Sequence, residues 1–225
     1  MAASGVTAVC LTPHLTTRQA EQGVPPAHDG AFGRLQAAAP GAVTLYRGVE
    51  LMLDMPFPES ATANAALRLG GSRYVLVEFS AYIARAAGRS ALARMVSLGL
   101  IPLVAHPERY ACCAPDVIAE WKAAGARIQL DATTMLMPRT RGHRVRTLLA
   151  EGLGDILAAD NHGDGRMLPT AYTALCEHGA MEQATQLVRG NPAAILADEP
   201  TVPVEPVIIP ESLLAKLRRL FKPEE

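Results

Sequence analysis

The sequence predicts an α/β fold of parallel strands and intervening helices, and two observations lead to this prediction. First, five short apolar runs have the length of buried parallel strands, and each ends in a histidine or a carboxylate. Second, helical patterns that stop at glycines separate most of these runs, as expected for repeated βα units. The five runs cover residues 9–14, 45–50, 74–78, 101–106 and 156–162.

Helices are expected between and after these runs, where apolar residues recur at helical spacing. Gly99 and Gly125 each follow such a segment, as a glycine commonly does at the end of a helix. A further strand is expected over residues 127–130, and Asn191-Pro192 begins a short closing turn. In chain order, the expected helices are residues 61–69, 90–98, 116–124, 144–150, 168–177 and 181–188.

Composition indicates a large apolar core and no strong electrostatic preference for a partner. The chain has 225 residues, of which 49% are apolar and 19% charged, and its formal charge at pH 7 is −1. This balance gives no support for nucleic-acid binding. No apolar stretch approaches the roughly 20 residues that span a bilayer, and no signal-peptide pattern begins the chain, so we expect a cytoplasmic protein.

The cysteines predict neither a disulfide framework nor a cysteine-based active site. Cys10, Cys112, Cys113 and Cys176 show no Cys-x-x-Cys spacing, so we expect reduced thiols. None is followed six positions later by an arginine, so the phosphate-binding loop of cysteine phosphatases is absent from the sequence.

A change of composition after Asp198 predicts a main domain over residues 1–198 and a tail over residues 199–225. Four prolines between residues 199 and 210 favour an extended linker. Residues 212–222 combine leucines with lysines and arginines in a basic amphipathic pattern. Such a segment suits peripheral contact with an anionic membrane or with a partner groove, and packing against the main domain is the alternative.

The polar residues that end the apolar runs predict a metal site. The carboxyl ends of parallel strands in a barrel open at one mouth, so these side chains should converge. Asp160 and His162 stand two residues apart, so both face the mouth if the strand continues. Oxygen and nitrogen ligands without cysteine suit Mn, Fe or Zn in a hydrolytic cluster. The candidate ligands are His14, Glu50, Glu78, His106, Asp160 and His162.

Simpler roles are open for several of these residues. An unpaired carboxylate at the end of an apolar run is costly, so Glu50 and Glu78 require either a metal or an arginine. The alternative partners are Arg47 and Arg73. Asp160 could cap a helix, and His14, which lies in a Pro-His turn, could be a plain surface residue.

Arg109 and Arg166 are the expected anion-binding residues. Both lie in loops beside candidate ligands. A guanidinium matches two phosphate oxygens with parallel hydrogen bonds. A surface salt bridge is the alternative for each arginine.

Six motifs, in this order, resemble those of one known family. They are Thr12-Pro13-His14, Gly48-Val49-Glu50, Val77-Glu78-Phe79, Ala105-His106-Pro107-Glu108-Arg109-Tyr110, Ala159-Asp160-Asn161-His162 with Gly165-Arg166, and Asn191-Pro192. The series is similar to that of the bacterial manganese-dependent tyrosine phosphatases. These enzymes belong to the PHP superfamily (polymerase and histidinol phosphatase) and act in capsule and exopolysaccharide synthesis. The resemblance runs from about residue 5 to residue 198.

The resemblance implies a distorted (βα)7 barrel that holds two to three metal ions, Mn²⁺ first and Fe or Zn as alternatives. By motif, Glu50 would bridge the first and second ions. Glu78 and His106 would complete the second site, and Asp160 would belong to the first.

The same resemblance assigns the remaining candidates. His14 and His162 would hold the third ion. Arg109 and Arg166 would bind the phosphate, and His162 is a candidate acid for the leaving group.

The start of the chain departs from the family pattern. That pattern begins with a His-x-His strand, an acidic loop and the first helix. This chain begins with Met1-Ala2-Ala3-Ser4-Gly5, which resembles the end of that helix. We therefore expect the first strand and most of the first helix of the barrel to be missing, together with two histidines of the first metal site and an acidic ligand of the third.

The expected activity is metal-dependent hydrolysis of phosphotyrosine in the tail of a bacterial tyrosine kinase that controls polysaccharide synthesis. One alternative keeps the fold and changes the substrate to a small phosphomonoester such as histidinol phosphate. A second alternative is a metal-poor, non-catalytic protein that binds the kinase. The sequence leaves the oligomeric state open.

Overall fold

The computed structural model describes residues 2–39 and 41–210, in which short strands form two parallel sheets. In the larger sheet the strand order is β2-β4-β5-β6-β7-β8, and β1 pairs with β3 separately. Every pairing is parallel, so the predicted α/β fold class is confirmed. The strands are β1 Ala8–Leu11, β2 His14–Thr16, β3 Thr44–Arg47, β4 Glu50–Met52, β5 Tyr74–Glu78, β6 Ile101–Ala105, β7 Arg127–Asp131 and β8 Ile156–Ala158.

Helices connect the strands and follow the last one. In chain order they are α1 Thr17–Gln22, α2 Pro26–Ala38, α3 Arg85–Ser97, α4 Pro115–Ala123, α5 Ala132–Met135, α6 Thr140–Ala150, α7 Leu168–Glu177, α8 Met181–Thr185 and α9 Asn191–Leu196. None of the helices within residues 2–39 and 41–210 has the length and apolar character needed to cross a bilayer.

Two of the predicted strands are each broken into two segments, which changes the position of two candidate ligands. Pro13 lies in the break between β1 and β2. The strand is interrupted there because a proline has no N–H to donate to a strand ladder. The pairs Leu11–Arg47 and His14–Glu50 keep one register across the break. His14 and Glu50 therefore begin β2 and β4, and the prediction that they end strands is wrong.

The larger sheet curves so that its two edges meet at one mouth. Among the described residues, β2 and β8 are the edge strands and no ladder joins them. His14 at the start of β2 nevertheless stacks on His162 in the loop after β8, with ring centroids 5.8 Å apart. The two edges of the sheet therefore approach each other at this point, while the count of seven strands and the missing first strand stay predictions.

Two apolar clusters on opposite faces of the sheet form the core. In β5, Val75 and Val77 belong to the main cluster, which also contains residues of α3, α4, α6 and α7. Tyr74 and Leu76 belong to a smaller cluster on the other face. Because successive residues of a strand point to opposite faces, Glu78 lies on the face of the smaller cluster. The alternation of β5 therefore directs this carboxylate into the curve of the sheet.

One predicted helix is wrong, and two helices at the start of the chain were not predicted. Residues 61–69 form separate 3-10 turns, at Glu59–Ala61 and Ala65–Leu67, instead of an α-helix. The side chain of Asn64 accepts a hydrogen bond from the N–H of Ala66 at 3.0 Å, and such local bonds compete with helix formation. Helix α2 has no buried residues, so no apolar periodicity marks it in the sequence.

The later helices follow the prediction more closely. The segments predicted over residues 90–98, 116–124, 144–150 and 168–177 overlap α3, α4, α6 and α7. The helix predicted over residues 181–188 is α-helical to Thr185 and continues as a π-helical turn over Gln186–Gly190.

Residues 199–210 have no regular secondary structure and pack against the preceding part of the chain. Val204 and Val207 are buried, and the N–H of Val207 donates to the carbonyl of Leu149 at 2.9 Å. The hydroxyl of Tyr74 donates to the carbonyl of Glu199 at 2.8 Å. The basic amphipathic segment predicted over residues 212–222 lies outside the described residues.

Gly88→Ala is expected to destabilise the fold. A Cβ at this position of α3 would lie 2.5 Å from Cζ2 of Trp121, which is fully buried in α4. Overpacking of this kind typically costs about 1–3 kcal/mol of unfolding free energy. Gly33→Ala in α2 is the matched control, because its Cβ would meet no atom within 4 Å and alanine favours a helix by about 0.5–1 kcal/mol. Thermal unfolding of both variants tests this, and equal effects would contradict the packing described.

Candidate metal centre

Two candidate ligands, Glu78 and His106, lie at the carboxyl ends of the adjacent strands β5 and β6. Glu78 is the last residue of β5, and His106 follows β6 directly. Tyr110 ties these strand ends together, since its hydroxyl donates to the carbonyl of Ala105 at 2.8 Å and accepts from the N–H of Phe79 at 3.1 Å. Burial raises the pKa of the Tyr110 phenol well above its usual value, so the hydroxyl remains a donor at neutral pH.

Five of the six predicted metal ligands come together in two overlapping groups. The first group contains His14, Glu50 and Glu78, and the second contains Glu50, His106 and Asp160. Within each group the ligand atoms all lie within 4.8 Å of one another. Glu50 belongs to both groups, so this carboxylate connects them.

The contacts within these groups are short and mostly buried. Nε2 of His106 lies 2.8 Å from Oε1 of Glu50 and 3.9 Å from Oε2 of Glu78. Nδ1 of His14 lies 3.2 Å from Oε1 of Glu78. The side chains of His106 and Glu50 are only 3% and 4% exposed, whereas that of His14 is 58% exposed. The cluster therefore extends from a buried centre to an open rim.

The donor set fits divalent cations. Glu50 and Glu78 pair with His106 and His14, and a histidine carries a full charge only when it is protonated. Buried carboxylates without a full opposing charge are costly, and a bound cation offsets that cost. Carboxylate and imidazole ligands are those that Mn, Fe and Zn accept.

Two of the candidate ligands occupy strained backbone conformations. His106 has φ of 32° and Asp160 has φ of 45°, both in the left-handed region. Such conformations cost on the order of 1–3 kcal/mol for residues other than glycine and cluster at functional sites. The strain at His106 is greater because Pro107 follows it, and a proline restricts the residue before it to extended conformations. The chain thus turns sharply at the two points where it delivers ligands.

Both predicted anion-binding arginines contact Asp160. Its Oδ2 accepts from Nη2 of Arg109 at 2.5 Å and from Nη1 of Arg166 at 3.2 Å. Burial raises the pKa of Asp160, but the hydrogen bond and charge of Arg109 outweigh burial and bring the pKa below its usual value. Nη2 of Arg166 also lies 2.7 Å from Oδ2 of Asp164. The two guanidinium groups therefore lie side by side at the rim of the cluster.

His162 lies beside the arginines, outside both ligand groups of the described residues. Its Nδ1 is 2.8 Å from Nη2 of Arg166 and 2.9 Å from the carbonyl of Asp160. Its side chain is 50% exposed. The structure thus brings His162 close to the cluster, through its stacking on His14, without placing it among the grouped ligands.

Sequence reasoning missed two acidic residues that support the site. Asp131 is buried at the end of β7, where Oδ2 accepts from Nη2 of Arg109 at 3.1 Å and Oδ1 accepts from the N–H groups of Thr133 and Thr134. Glu108 is fully buried, and its Oε1 accepts from the N–H of Asp131 at 3.2 Å. Burial raises the pKa of Glu108 to about 7. Asp131 follows the strand predicted over residues 127–130, so its position at a strand end could have identified it.

Comparison with known proteins places the chain in a family. The family described as "Capsular polysaccharide synthesis, CpsB/CapC" matches residues 1–197. The chain is 26% identical over 164 residues to the tyrosine-protein phosphatase CpsB of Streptococcus pneumoniae, which covers 68% of each chain. It is 29% identical over 164 residues to the protein of the same name from Streptococcus agalactiae, covering 68% of this chain and 67% of that one.

A solved structure has the same fold. It comes from work described as "Crystal structures of YwqE from Bacillus subtilis and CpsB from Streptococcus pneumoniae, unique metal-dependent tyrosine phosphatases". The TM-score is 0.73 with 20% sequence identity, over 93% of this chain and 88% of the other. Together with the match over residues 1–197, this likeness leads to one conclusion: the chain belongs to the CpsB/CapC family of capsular polysaccharide synthesis.

Proposed function

We propose that this chain is a metal-dependent phosphatase that hydrolyses phosphotyrosine in proteins. The observation that carries the proposal is the pair of ligand groups that share Glu50, with Arg109 and Arg166 at their rim. Such a site can hold two cations and the oxygens of a phosphate at the same time. The names of the relatives, tyrosine-protein phosphatases, support an aryl phosphate as the substrate.

The ligands would act as follows. Glu50, His14 and Glu78 would hold one cation, and Glu50, His106 and Asp160 would hold another; the proximity of the side chains in the two groups supports this assignment. When bound, such cations lower the pKa of a nearby water and offset the charge of the phosphate. Mn²⁺ is the cation we propose, with Fe or Zn as the alternatives that the same donors accept.

Arg109 and Arg166 would bind the phosphate, and His162 would protonate the leaving group. Arg109 and Arg166 would turn from Asp160 toward the phosphate oxygens and stabilise the charge that develops on them. His162 is half-exposed beside Arg166, where it could donate a proton to the leaving phenolate oxygen. A phenol has a pKa of about 10, so this proton transfer needs less assistance than it would for an alkoxide.

The proposed biological setting follows from the family. The substrate would be the phosphotyrosine tail of a bacterial tyrosine kinase that controls capsule or exopolysaccharide synthesis, reached in the cytoplasm. The catalytic domain would be residues 1–198, and residues 199–225 would form an accessory tail. The family description as capsular polysaccharide synthesis supports this setting.

Removal of divalent cations is expected to abolish hydrolysis of p-nitrophenyl phosphate. Cation catalysis contributes several kcal/mol, so EDTA should lower the rate by about 10²–10³-fold, and added Mn²⁺ should restore it. Undiminished hydrolysis after chelation would refute the metal-dependent mechanism.

A substrate panel at fixed Mn²⁺ then tests the substrate class. We expect phosphotyrosyl peptides to be hydrolysed with a higher kcat/KM than histidinol phosphate. The reverse order would favour a small-molecule phosphatase, and a protein that retains no metal and hydrolyses none of these substrates would favour a non-catalytic kinase-binding role.

A further inference from the structure

The backbone of Arg109 is held independently of its side chain. Nη1 of Arg144, in α6, donates to the carbonyls of Glu108 and Tyr110, each at 3.0 Å. The N–H of Arg109 donates to the carbonyl of His106 at 3.1 Å. These bonds fix the turn that carries Arg109. The direction of its long side chain, which is 31% exposed, depends instead on the groups that accept from the guanidinium.

Two carboxylates accept from the same nitrogen of Arg109. Nη2 lies 3.1 Å from Oδ2 of Asp131 and 2.5 Å from Oδ2 of Asp160. A terminal guanidinium nitrogen carries two N–H donors, so each carboxylate can accept one of them. Both donors of Nη2 are therefore occupied, and one of them must be released before this nitrogen can bind a phosphate oxygen.

The two carboxylates differ in their relation to the candidate metal centre. Asp160 belongs to the ligand group with Glu50 and His106, so its oxygens would be engaged when that group holds a cation, and its bond to Arg109 would weaken. Neither ligand group of the described residues includes Asp131. Of the two partners of Nη2, Asp160 is therefore the one that is lost when metal binds.

Asp131 is a fixed acceptor. Its side chain is 3% exposed, and its Oδ1 accepts from the N–H groups of Thr133 and Thr134 at 2.8 Å and 2.9 Å. Its own N–H donates to Oε1 of Glu108 at 3.2 Å. These bonds hold the carboxylate with Oδ2 directed at Arg109, so the guanidinium has one partner that does not depend on a cation.

We propose that Asp131 is a positioning residue that keeps the guanidinium of Arg109 at the phosphate site when Asp160 binds a cation. The inference rests on the proposed function and adds a residue to it. The N–H that Asp160 releases becomes available to a phosphate oxygen, while the N–H held by Asp131 keeps the direction of the planar fork. An arginine held in this way loses less conformational freedom when the phosphate binds.

Two variants of Asp131 separate its contact with Arg109 from its bonds to α5. Asparagine has a single acceptor oxygen, so D131N cannot accept on both sides as the carboxylate does. In D131S the hydroxyl can still cap α5, as serine commonly does, but Arg109 loses its acceptor. A loss of function shared by both variants is therefore assigned to the contact with Arg109.

Fluorescence anisotropy on the full chain with Mn²⁺ measures the anion site without relying on turnover. The probe is a labelled peptide in which phosphonomethyl-phenylalanine, a non-hydrolysable mimic, replaces phosphotyrosine. We expect D131N and D131S to bind it about tenfold more weakly than the unaltered chain, as the loss of one hydrogen bond to a charged group would give. The kcat/KM for a phosphotyrosyl peptide should fall by about 10–100-fold, because a misplaced group lowers rates on this scale. Metal content should not change.

A second substitution at Arg109 shows whether Asp131 acts through this side chain. R109M removes every guanidinium donor, so the addition of D131N to R109M should have little further effect on probe binding. A residue that only stabilised the fold would weaken binding equally in both backgrounds.

The control is D155N, which alters another buried carboxylate at the opposite end of the sheet. Oδ2 of Asp155, directly before β8, accepts from Nζ of Lys122 at 2.7 Å and from the N–H of Ile128 at 2.8 Å. D155N should lower the melting temperature and leave probe affinity and kcat/KM unchanged.

Three results would overturn the proposal. They are no weakening of probe binding in D131N and D131S, an equal effect of D131N in the R109M background, and loss of metal from D131N. If the positioning proposal alone is wrong, phosphotyrosyl peptides are hydrolysed and D131N binds the probe as the unaltered chain does. If the phosphatase proposal alone is wrong, no phosphopeptide is hydrolysed, yet D131N still binds the probe more weakly than the unaltered chain.

Discussion

Glu50→Gln is expected to remove bound metal and to lower turnover by about 10³-fold or more, because catalysis through cations contributes several kcal/mol and both ligand groups depend on this residue. Glutamine has nearly the same shape as glutamate and lacks the charge that two cations would share. Metal content of the purified protein and hydrolysis of p-nitrophenyl phosphate measure the two effects.

The control for this variant is Glu59→Gln, which removes the same charge from an exposed 3-10 turn. It should keep wild-type metal content and turnover. If Glu50 served only as an ion-pair partner of His106, Glu50→Gln would lower the melting temperature and leave metal content unchanged. That result would contradict the bridging role.

Arg109→Lys is expected to lower kcat/KM by about 10²–10³-fold while the protein keeps its metal, because removing one preorganised donor to a developing oxyanion has an effect of this size. Nη2 of Arg109 lies between Asp131 and Asp160. A lysine cannot reproduce the planar fork that reaches both a carboxylate and a phosphate oxygen. Steady-state kinetics with a phosphotyrosyl peptide, alongside metal analysis, test this expectation.

Arg89→Lys is the matched substitution, at an exposed position of α3 where Arg89 pairs with Glu120. It should leave both kinetics and metal content unchanged. A kcat/KM for Arg109→Lys within twofold of the wild-type value would show that Arg109 does not contact the transferred phosphate. Loss of metal in this variant would instead indicate a role in holding Asp160.

The ligands at strand ends could be predicted because parallel strands impose a simple rule. Glu78 and His106 follow buried apolar runs, and neighbouring parallel strands bring their carboxyl ends together. His14 and Glu50 reach the same centre for a different reason, since both follow a break within a longer ladder. Gly48 lies in the second break and packs closely there, because a Cβ would lie 2.8 Å from Cδ2 of Leu69. A packing contact of this kind cannot be read from the local sequence.

The segments that were predicted poorly lack a local signal or are decided by distant contacts. Helix α2 buries no side chain, so its sequence shows no apolar stripe. Asn191 is fully buried, and its side chain bonds the carbonyls of Asp155 and Val202. The sequence marks residue 191 only as the start of a turn, because both partners come from other parts of the chain.

The sequence predicted most of the residues of the site, but not the contacts between them. Asp160 was expected among the ligands and Arg109 at the phosphate, yet the two side chains bond directly to each other. Asp131 supports that pair and was not singled out. Pairwise contacts between loops depend on how far the sheet curves, and strand patterns alone do not specify that curvature.

Anomalous diffraction from crystals grown with Mn²⁺ tests the central claim most directly. We expect two anomalous peaks about 2.0–2.6 Å from carboxylate oxygens of Glu50, one beside His14 and Glu78 and the other beside His106 and Asp160. Peaks elsewhere, or a crystal that shows only the His106–Glu50 ion pair at this position, would contradict the metal centre on which the proposed function depends.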